Sequence, residues 1–203
     1  MVDRKEIVTQ TQLAFEFIQK LYLEVSYLIK EIEGTLFEEK EKFSICRPGG
    51  YGVTARGSTG LESVSVNMWL MRKLAVAFIP EILIKMEKGQ THTEISKDLR
   101  VLYLRVVLDD TAIDQPKLYT GYFTNFEVNK AGERLRNRFE NMMSHITYND
   151  QKVFNNPRVV EYEDAYFKFD GKFIETNLYD IPDSKTLSEK VIIPTLALYR
   201  DDS

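Results

Sequence analysis

The sequence predicts a single α+β domain, and two observations lead to that class. Apolar residues recur at spacings of three and four within residues 1–42, whereas several later stretches alternate apolar and polar side chains. These patterns do not alternate regularly, as they do in a doubly wound parallel sheet. We therefore expect a mainly antiparallel sheet of about five to seven strands. A long N-terminal helix and a second amphipathic helix should cover it.

Length and composition are those of one folded domain. A chain of 203 residues buries a full core without staples, and 43% hydrophobic with 12% aromatic residues favours a folded chain over a disordered one. Within this single domain, residues 1–203, we distinguish three parts. They are a helical segment (1–42), a glycine-rich connector (43–62) and a sheet with helices (63–203).

Charge and cysteine content restrict the class further. A net charge of −4 argues against a protein whose main role is nonspecific nucleic-acid binding, which requires many Lys and Arg residues. The single cysteine, Cys46, permits neither an internal disulfide nor a thiolate metal site. The apolar runs are too short to cross a bilayer, and the first residues lack the apolar core of a signal peptide. We expect a cytoplasmic protein with no membrane partner.

The helical segment has the a/d spacing of a helix that packs along one seam. Its seam residues are Ala14, Ile18, Leu21, Val25, Leu28 and Ile32, and a second line of Phe15, Tyr22, Ile29 and Leu36 widens it. So broad a stripe needs more than one neighbour. It is either a core helix of this domain or a helix that also contacts a partner chain. For the second alternative, the candidate interaction residues are Ile18, Leu21, Val25 and Leu28.

Four stretches have the pattern of strands. Val64–Met68 and Leu74–Phe78 alternate in polarity, and Pro80 should end the second of them. Leu99–Leu108 is apolar on both faces except for two arginines, as expected of a central strand. Leu118–Val128 alternates throughout and predicts a further strand.

The remaining elements are predicted from turn and cap residues. Asn129 is a suitable N-cap for the second helix, which should run to about Ile146. Asp170-Gly171 matches a type I′ turn between two aromatic strands. Asp183 or Ser184 should cap a last helix, which Pro194 would kink or end.

The glycine-rich stretch Cys46–Gly60 is either a connector or an anion-binding loop. Five of the chain's ten glycines fall in it, and backbone amides with Arg47, Arg56, Ser58 and Thr59 offer donors to a phosphate. A Walker loop would need Lys after the glycine, and a dinucleotide-binding loop would need a strand before it. We favour the connector.

Two further sets of basic residues are candidate anion ligands. Lys130, Arg134 and Arg138 are spaced by four along the predicted second helix and form either a solvated face or a site for an acidic partner. Arg105 lies inside the most apolar strand and needs a carboxylate, for which Glu127 or Asp109 is available. The alternative partner of Arg105 is a bound anionic ligand.

Catalytic signatures are weak. Cys46 has no local motif that pairs it with either histidine. Asp109-Asp110 ends a strand, and Asp170-Gly171-Lys172, with Asp150 or Asp164, resembles the spacing of a Mg²⁺-dependent nuclease, but a turn tip holds a metal poorly. We expect no catalytic residue, no metal and no cofactor.

The sequence thus favours a non-enzymatic interaction or regulatory module, part of a homo-oligomer or a larger complex. The N-terminal helix or the aromatic hairpin, from Tyr162 to Tyr179, would make the contact. The alternative is a protein that binds an anion, a phosphate ligand or nucleic acid through the basic residues named above. A metal-dependent phosphoesterase is the third possibility.

Overall fold

The computed structural model describes residues 4–45, 72–87 and 90–201. The glycine-rich stretch Cys46–Gly60, with its candidate ligands Arg47, Arg56, Ser58 and Thr59, lies outside the described residues. So does the predicted strand Val64–Met68.

The chain begins with one long helix, α1 (Arg4–Glu38). Its C-terminal half packs on the domain through Val25, Ile32 and Leu36, which the predicted heptad spacing places on one side. A turn with Lys42 at φ 48° leads from the helix into the first strand. Among the described helices, none is both long and apolar enough to cross a membrane.

A six-stranded antiparallel sheet forms the centre of the domain. The described strands are β1 (Phe43–Ile45), β2 (Lys73–Pro80), β3 (Lys85–Glu87), β4 (Gln90–His92), β5 (Val101–Val107), β6 (Lys117–Val128), β7 (Val159–Glu163) and β8 (Phe167–Asn177). The strand order is β1-β2-β5-β6-β8-β7, and β3 pairs with β4 in a separate ribbon. The predicted α+β class is confirmed, and β5 is a central strand as expected. β6, predicted only as a strand, is its central neighbour.

The sheet is buried on both faces because the strands alternate between two apolar cores. In β5, Leu102 and Leu104 contribute to the core beneath α1 and the C-terminal helices. Tyr103 points to the opposite core, beneath the helices α2 (Arg138–Tyr148) and α3 (Asp150–Val153). Aromatic rings fill much of that second core, where the rings of Phe123 and Tyr103 meet edge to face with their centres 5.0 Å apart.

The prediction of a turn at Asp170-Gly171 is wrong, because both residues lie in the middle of β8. The chain reverses earlier, where Asp164 accepts hydrogen bonds from the backbone N–H groups of Tyr166 and Phe167. Gly171 is needed for close approach instead. A Cβ there would lie 2.8 Å from the Phe123 ring and 2.9 Å from the Tyr122 carbonyl oxygen. β8 is therefore an interior strand of the sheet, and only β7 of this hairpin lies at the edge.

The second helix begins at Arg138 and not, as predicted, near Asn129. The segment between these two residues begins in contact with the β7–β8 turn, where the Asn129 N–H donates to the Tyr166 carbonyl at 2.8 Å. Gly132 lies so close to the same carbonyl that a Cβ would be 2.3 Å from its oxygen. This tertiary contact overrides the local helical pattern.

The last helix is continuous but irregular. It consists of α4 (Ser184–Leu187), a π-helical turn (Ser188–Ile192) and α5 (Ile193–Asp201). Asp183 caps it, as predicted, by accepting from the Thr186 N–H at 2.8 Å. Pro194 does not end the helix, which continues to Asp201. The π-helical turn lies directly before α5, so the helix is irregular where the sequence predicted a kink.

Candidate interaction surface and charged clusters

The N-terminal half of α1 presents an apolar surface to solvent. Every residue from 4 to 17 is exposed. Five large apolar side chains, those of Ile7, Val8, Leu13, Phe15 and Phe17, have exposed fractions between 51% and 62%. At 100° per residue, Val8 and Leu13 lie about 100° or more from the line of Ile7, and we name the other three the α1 apolar face: Ile7, Phe15 and Phe17. This set is unusual, because contiguous exposed apolar surface on a soluble protein commonly marks a contact site.

The α1 apolar face continues the line along which the helix packs on its own domain. At 100° per residue, Ile7 lies in line with Val25, eighteen residues and five turns further along the helix. Ala14 likewise lies in line with Ile32. Phe15 and Phe17 stand on opposite flanks of this line. The C-terminal half of the seam is buried in the core, whereas no described residue buries its N-terminal half.

The four predicted interaction residues lie where the seam passes from buried to exposed. Val25 is 3% exposed and belongs to the core beneath α1, and Leu28 packs against the same core. Ile18 and Leu21 are half-buried. Val25 and Leu28 are thus engaged within the domain, and the surface that a partner would meet lies nearer the N-terminus than the sequence indicated.

A cluster of charged residues lies at one end of the sheet. Arg105 donates to both carboxylate oxygens of Asp150, at 2.6 and 2.7 Å. Lys73 contacts Asp150 at 2.9 Å and Asp110 at 2.6 Å. We call these four residues the sheet-end cluster. The Lys73 ammonium lowers the pKa of Asp110 by its hydrogen bond, against the opposing effect of burial.

The expectation that Glu127 or Asp109 pairs with Arg105 is wrong. Glu127 contacts Lys97, and Asp109 contacts Arg72. Asp150 reaches Arg105 because the turn between α2 and α3 places it above β5, where the guanidinium also stacks 4.3 Å from the centre of the Phe154 ring. Both cations of the sheet-end cluster bond to carboxylates. The arrangement links helix α3 to β2 and β5.

A second polar cluster surrounds His145 on α2. Its Nε2 lies 2.7 Å from the Asp164 carboxylate and 3.0 Å from the Tyr162 hydroxyl. The Tyr162 hydroxyl also donates to Asp164 at 3.2 Å. Burial, together with the nearby carboxylate, raises the pKa of Tyr162 to about 12. The cluster joins α2 to the β7–β8 hairpin. Sequence reasoning found His145 only as the end of a basic line, since no local spacing connects it to Asp164.

Burial raises the pKa of Asp164, but hydrogen bonds from the backbone N–H groups of Phe167 and Tyr166 lower it more. The carboxylate therefore stays ionised to lower pH than usual. The Asp164 carboxylate binds the backbone of the β7–β8 turn and contacts His145 and Tyr162, so its role here is structural.

The predicted basic line does not form on one helix. Lys130 precedes the 3₁₀ turn that contains Arg134, and Arg138 is the first residue of α2. All three side chains are exposed. Arg138 donates to the Glu133 carbonyl oxygen at 3.0 Å. Their anion-binding role stays a prediction, without the common helical face on which it was based.

Of the aspartates considered for a nuclease site, Asp110 and Asp150 lie close together, since both bind the Lys73 ammonium, and the others lie elsewhere in the fold. Asp150 bonds to Arg105, Asp164 to His145 and Asp109 to Arg72. Asp170 accepts a hydrogen bond from Asn125 at 2.9 Å. Within the described ranges, no three His, Cys, Asp or Glu side chains are grouped so that they could hold a metal ion.

Comparison with known proteins identifies no relative of this chain. No family model matches it, and no curated protein or solved structure is similar to it.

Proposed function

We propose that this protein is a non-enzymatic interaction module that binds another protein through the α1 apolar face. The observation that supports this proposal is the division of one continuous seam into a buried half and an exposed half. A helix with a purely structural role would have its apolar residues covered along its length. Here Phe15 and Phe17 remain about three-fifths exposed, at 62% and 61%.

The size of the α1 apolar face fits this role. Its three side chains present about 350 Å² of apolar surface, if roughly 200 Å² is taken for a fully exposed large side chain. This is within the range of the largest apolar patch on a typical monomer, and such patches are often functional. Covering it would contribute on the order of 10 kcal/mol before the cost of association, which is enough for a specific contact.

The polar clusters support a role without catalysis. Catalytic groups commonly face a cleft and have free hydrogen-bonding capacity toward a substrate. In the sheet-end cluster Arg105 is bonded at both ends of the Asp150 carboxylate, and the Nε2 of His145 is occupied by Asp164 and Tyr162. These contacts hold helices to the sheet.

The test compares two double variants of the full chain. Phe15→Glu/Phe17→Glu places charge on the α1 apolar face. Leu23→Glu/Tyr27→Glu is the matched control, since both residues are also exposed on α1, at 48% and 54%, but lie on its other side.

Each variant and the wild type would be tagged in the native host and purified under mild conditions. The proposal predicts that a stoichiometric protein partner, either a second copy or another chain, is retained by the wild type and the control and lost by Phe15→Glu/Phe17→Glu. Equal retention by all three proteins, or no stoichiometric partner for any, would refute it. Circular dichroism of each variant confirms that the fold is kept.

A further inference from the structure

We infer that the partner of the α1 apolar face is a second copy of this chain, with the two α1 helices packed antiparallel. The inference rests on the proposed function and specifies its partner. Three observations support it, which concern charge, the direction of the helix and the area available.

The charge pattern of α1 favours an uncharged partner surface. The stretch Ile7–Phe15 has no charged residue, with Glu6 before it and Glu16 after it. A partner rich in charge would lose hydration there and gain no ion pair. Among the described residues, other exposed large apolar side chains on different elements are scattered, such as Ile82, Tyr148 and Tyr179. The matching surface on this molecule is α1 itself, and a two-fold contact brings the same face of each copy together.

The direction of the second helix follows from what already occupies the seam. Val25, Ile32 and Leu36 place the sheet on the same side of α1 that Ile7 presents to the partner. A parallel partner helix would continue along this line and collide with the sheet. An antiparallel helix runs away from the sheet, and only its first turns approach it.

The overlap of the two helices is then limited to residues 4–20, about 25 Å at 1.5 Å per residue. Its midpoint is Gln12. The seam spacing independently gives nearly the same midpoint, between Gln12 and Leu13, because an antiparallel pair that aligns Ile7 with the partner's Ile18 also aligns Thr11 with the partner's Ala14. Steric limits and sequence spacing therefore agree on one register.

The area available is that of a small dimer interface. The α1 apolar face contributes about 350 Å² from each copy, so the pair covers about 700 Å² of apolar surface before Ile18, Leu21 and the flanking polar residues are counted, which is at the low end for protein interfaces. Covering this surface also supports the helix, since a segment of this length without packing is only marginally helical in water.

The first experiment is sedimentation equilibrium of the purified full chain over a range of concentrations. We expect twice the 23.7 kDa mass of one chain. The Phe15→Glu/Phe17→Glu variant should bind its copy at least about a hundredfold more weakly, since each lost Phe contact accounts for about tenfold or more. The Leu23→Glu/Tyr27→Glu control should remain dimeric.

The second experiment determines direction and register. Thr11→Cys and Ala14→Cys are made separately in a Cys46→Ser background and oxidised alone or mixed. The antiparallel register predicts that the mixed disulfide forms faster than either disulfide between identical variants. A parallel pair would instead favour Thr11→Cys joined to Thr11→Cys, and that result would overturn the antiparallel arrangement.

The outcomes separate this inference from the proposed function. A monomer at every concentration that still binds a different protein through the α1 apolar face would overturn the second copy and leave the proposed function standing. A monomer with no face-dependent partner would overturn both. A dimer that Phe15→Glu/Phe17→Glu does not weaken would also overturn the inference, because the contact would then lie elsewhere.

Discussion

Replacing Asp150 with asparagine should destabilise the protein strongly, because it leaves the Arg105 charge without its carboxylate. The Arg105 side chain is only 7% exposed and donates two charge-assisted hydrogen bonds to Asp150. Breaking a buried ion pair from one side typically costs 3–5 kcal/mol. Asp150 itself is 22% exposed, so water reduces the cost, and we expect a loss of about 3 kcal/mol in the free energy of unfolding.

The assay is urea denaturation of the wild type, Asp150→Asn and a matched control, Asp109→Asn. Asp109 is 63% exposed and contacts Arg72 at 3.0 Å, which makes it an ion pair at the surface. Its loss should cost no more than about 1 kcal/mol, as for most exposed pairs. Asp150→Asn should lower the urea midpoint by about 1–2 M. Equal effects of the two substitutions would refute the argument that burial of Arg105 determines the cost.

Two other predictions follow from single contacts. Gly171→Ala should lower the free energy of unfolding by about 1–3 kcal/mol, because the added Cβ overlaps Phe123 and the Tyr122 carbonyl. Gly34→Ala should raise it by about 0.5–1 kcal/mol, because an added Cβ there has nothing within 4 Å. Thermal unfolding of both variants measures these changes, and changes of the opposite sign would contradict the packing described. The pKa of Asp164 is lowered in the folded state. Its contribution to the free energy of unfolding is therefore present above the unfolded pKa, about 3.9, and is lost as pH falls through the folded pKa. Urea midpoints measured from pH 6 to pH 3 should fall less in Asp164→Asn than in the wild type, and parallel curves would disprove this.

Strands with a regular pattern could be predicted from the sequence. Leu118–Val128 alternates over its whole length, and Leu99–Leu108 is apolar on both faces, so β6 and β5 were placed correctly within two residues. The central position of β5 follows from the same physics, since a strand covered on both sides must be apolar on both. The alternating pattern of β6 did not indicate its central position. The seam of α1 was also predictable from its heptad spacing.

Features that depend on distant contacts could not be predicted. Asp170-Gly171 has the residues of a turn, but the glycine is there because β6 lies too close for a side chain. The segment from Asn129 to Asn137 has a helical pattern and is bent by contact with Tyr166. Arg105 and Asp150 form an ion pair although forty-five positions separate them in the sequence. In each case a tertiary contact decides between local alternatives that the sequence leaves equal.

The boundary between the buried and exposed halves of α1 could not be predicted from the sequence either. Ile18 and Val25 occupy equivalent seam positions, yet only Val25 is fully buried. What distinguishes them is where the sheet ends relative to the helix. That position depends on the turn at Lys42 and the pairing of β1 with β2.

Hydrogen exchange along α1 tests the central claim most directly. If a second copy covers the α1 apolar face, backbone amides of residues 7–18 in the concentrated wild-type protein should exchange slowly. They should exchange much faster in Phe15→Glu/Phe17→Glu, because an uncovered helix of this length frays. Amides of residues 25–36 should stay protected in both proteins, since the domain core covers them. Equal, rapid exchange of residues 7–18 in the two proteins would contradict the account.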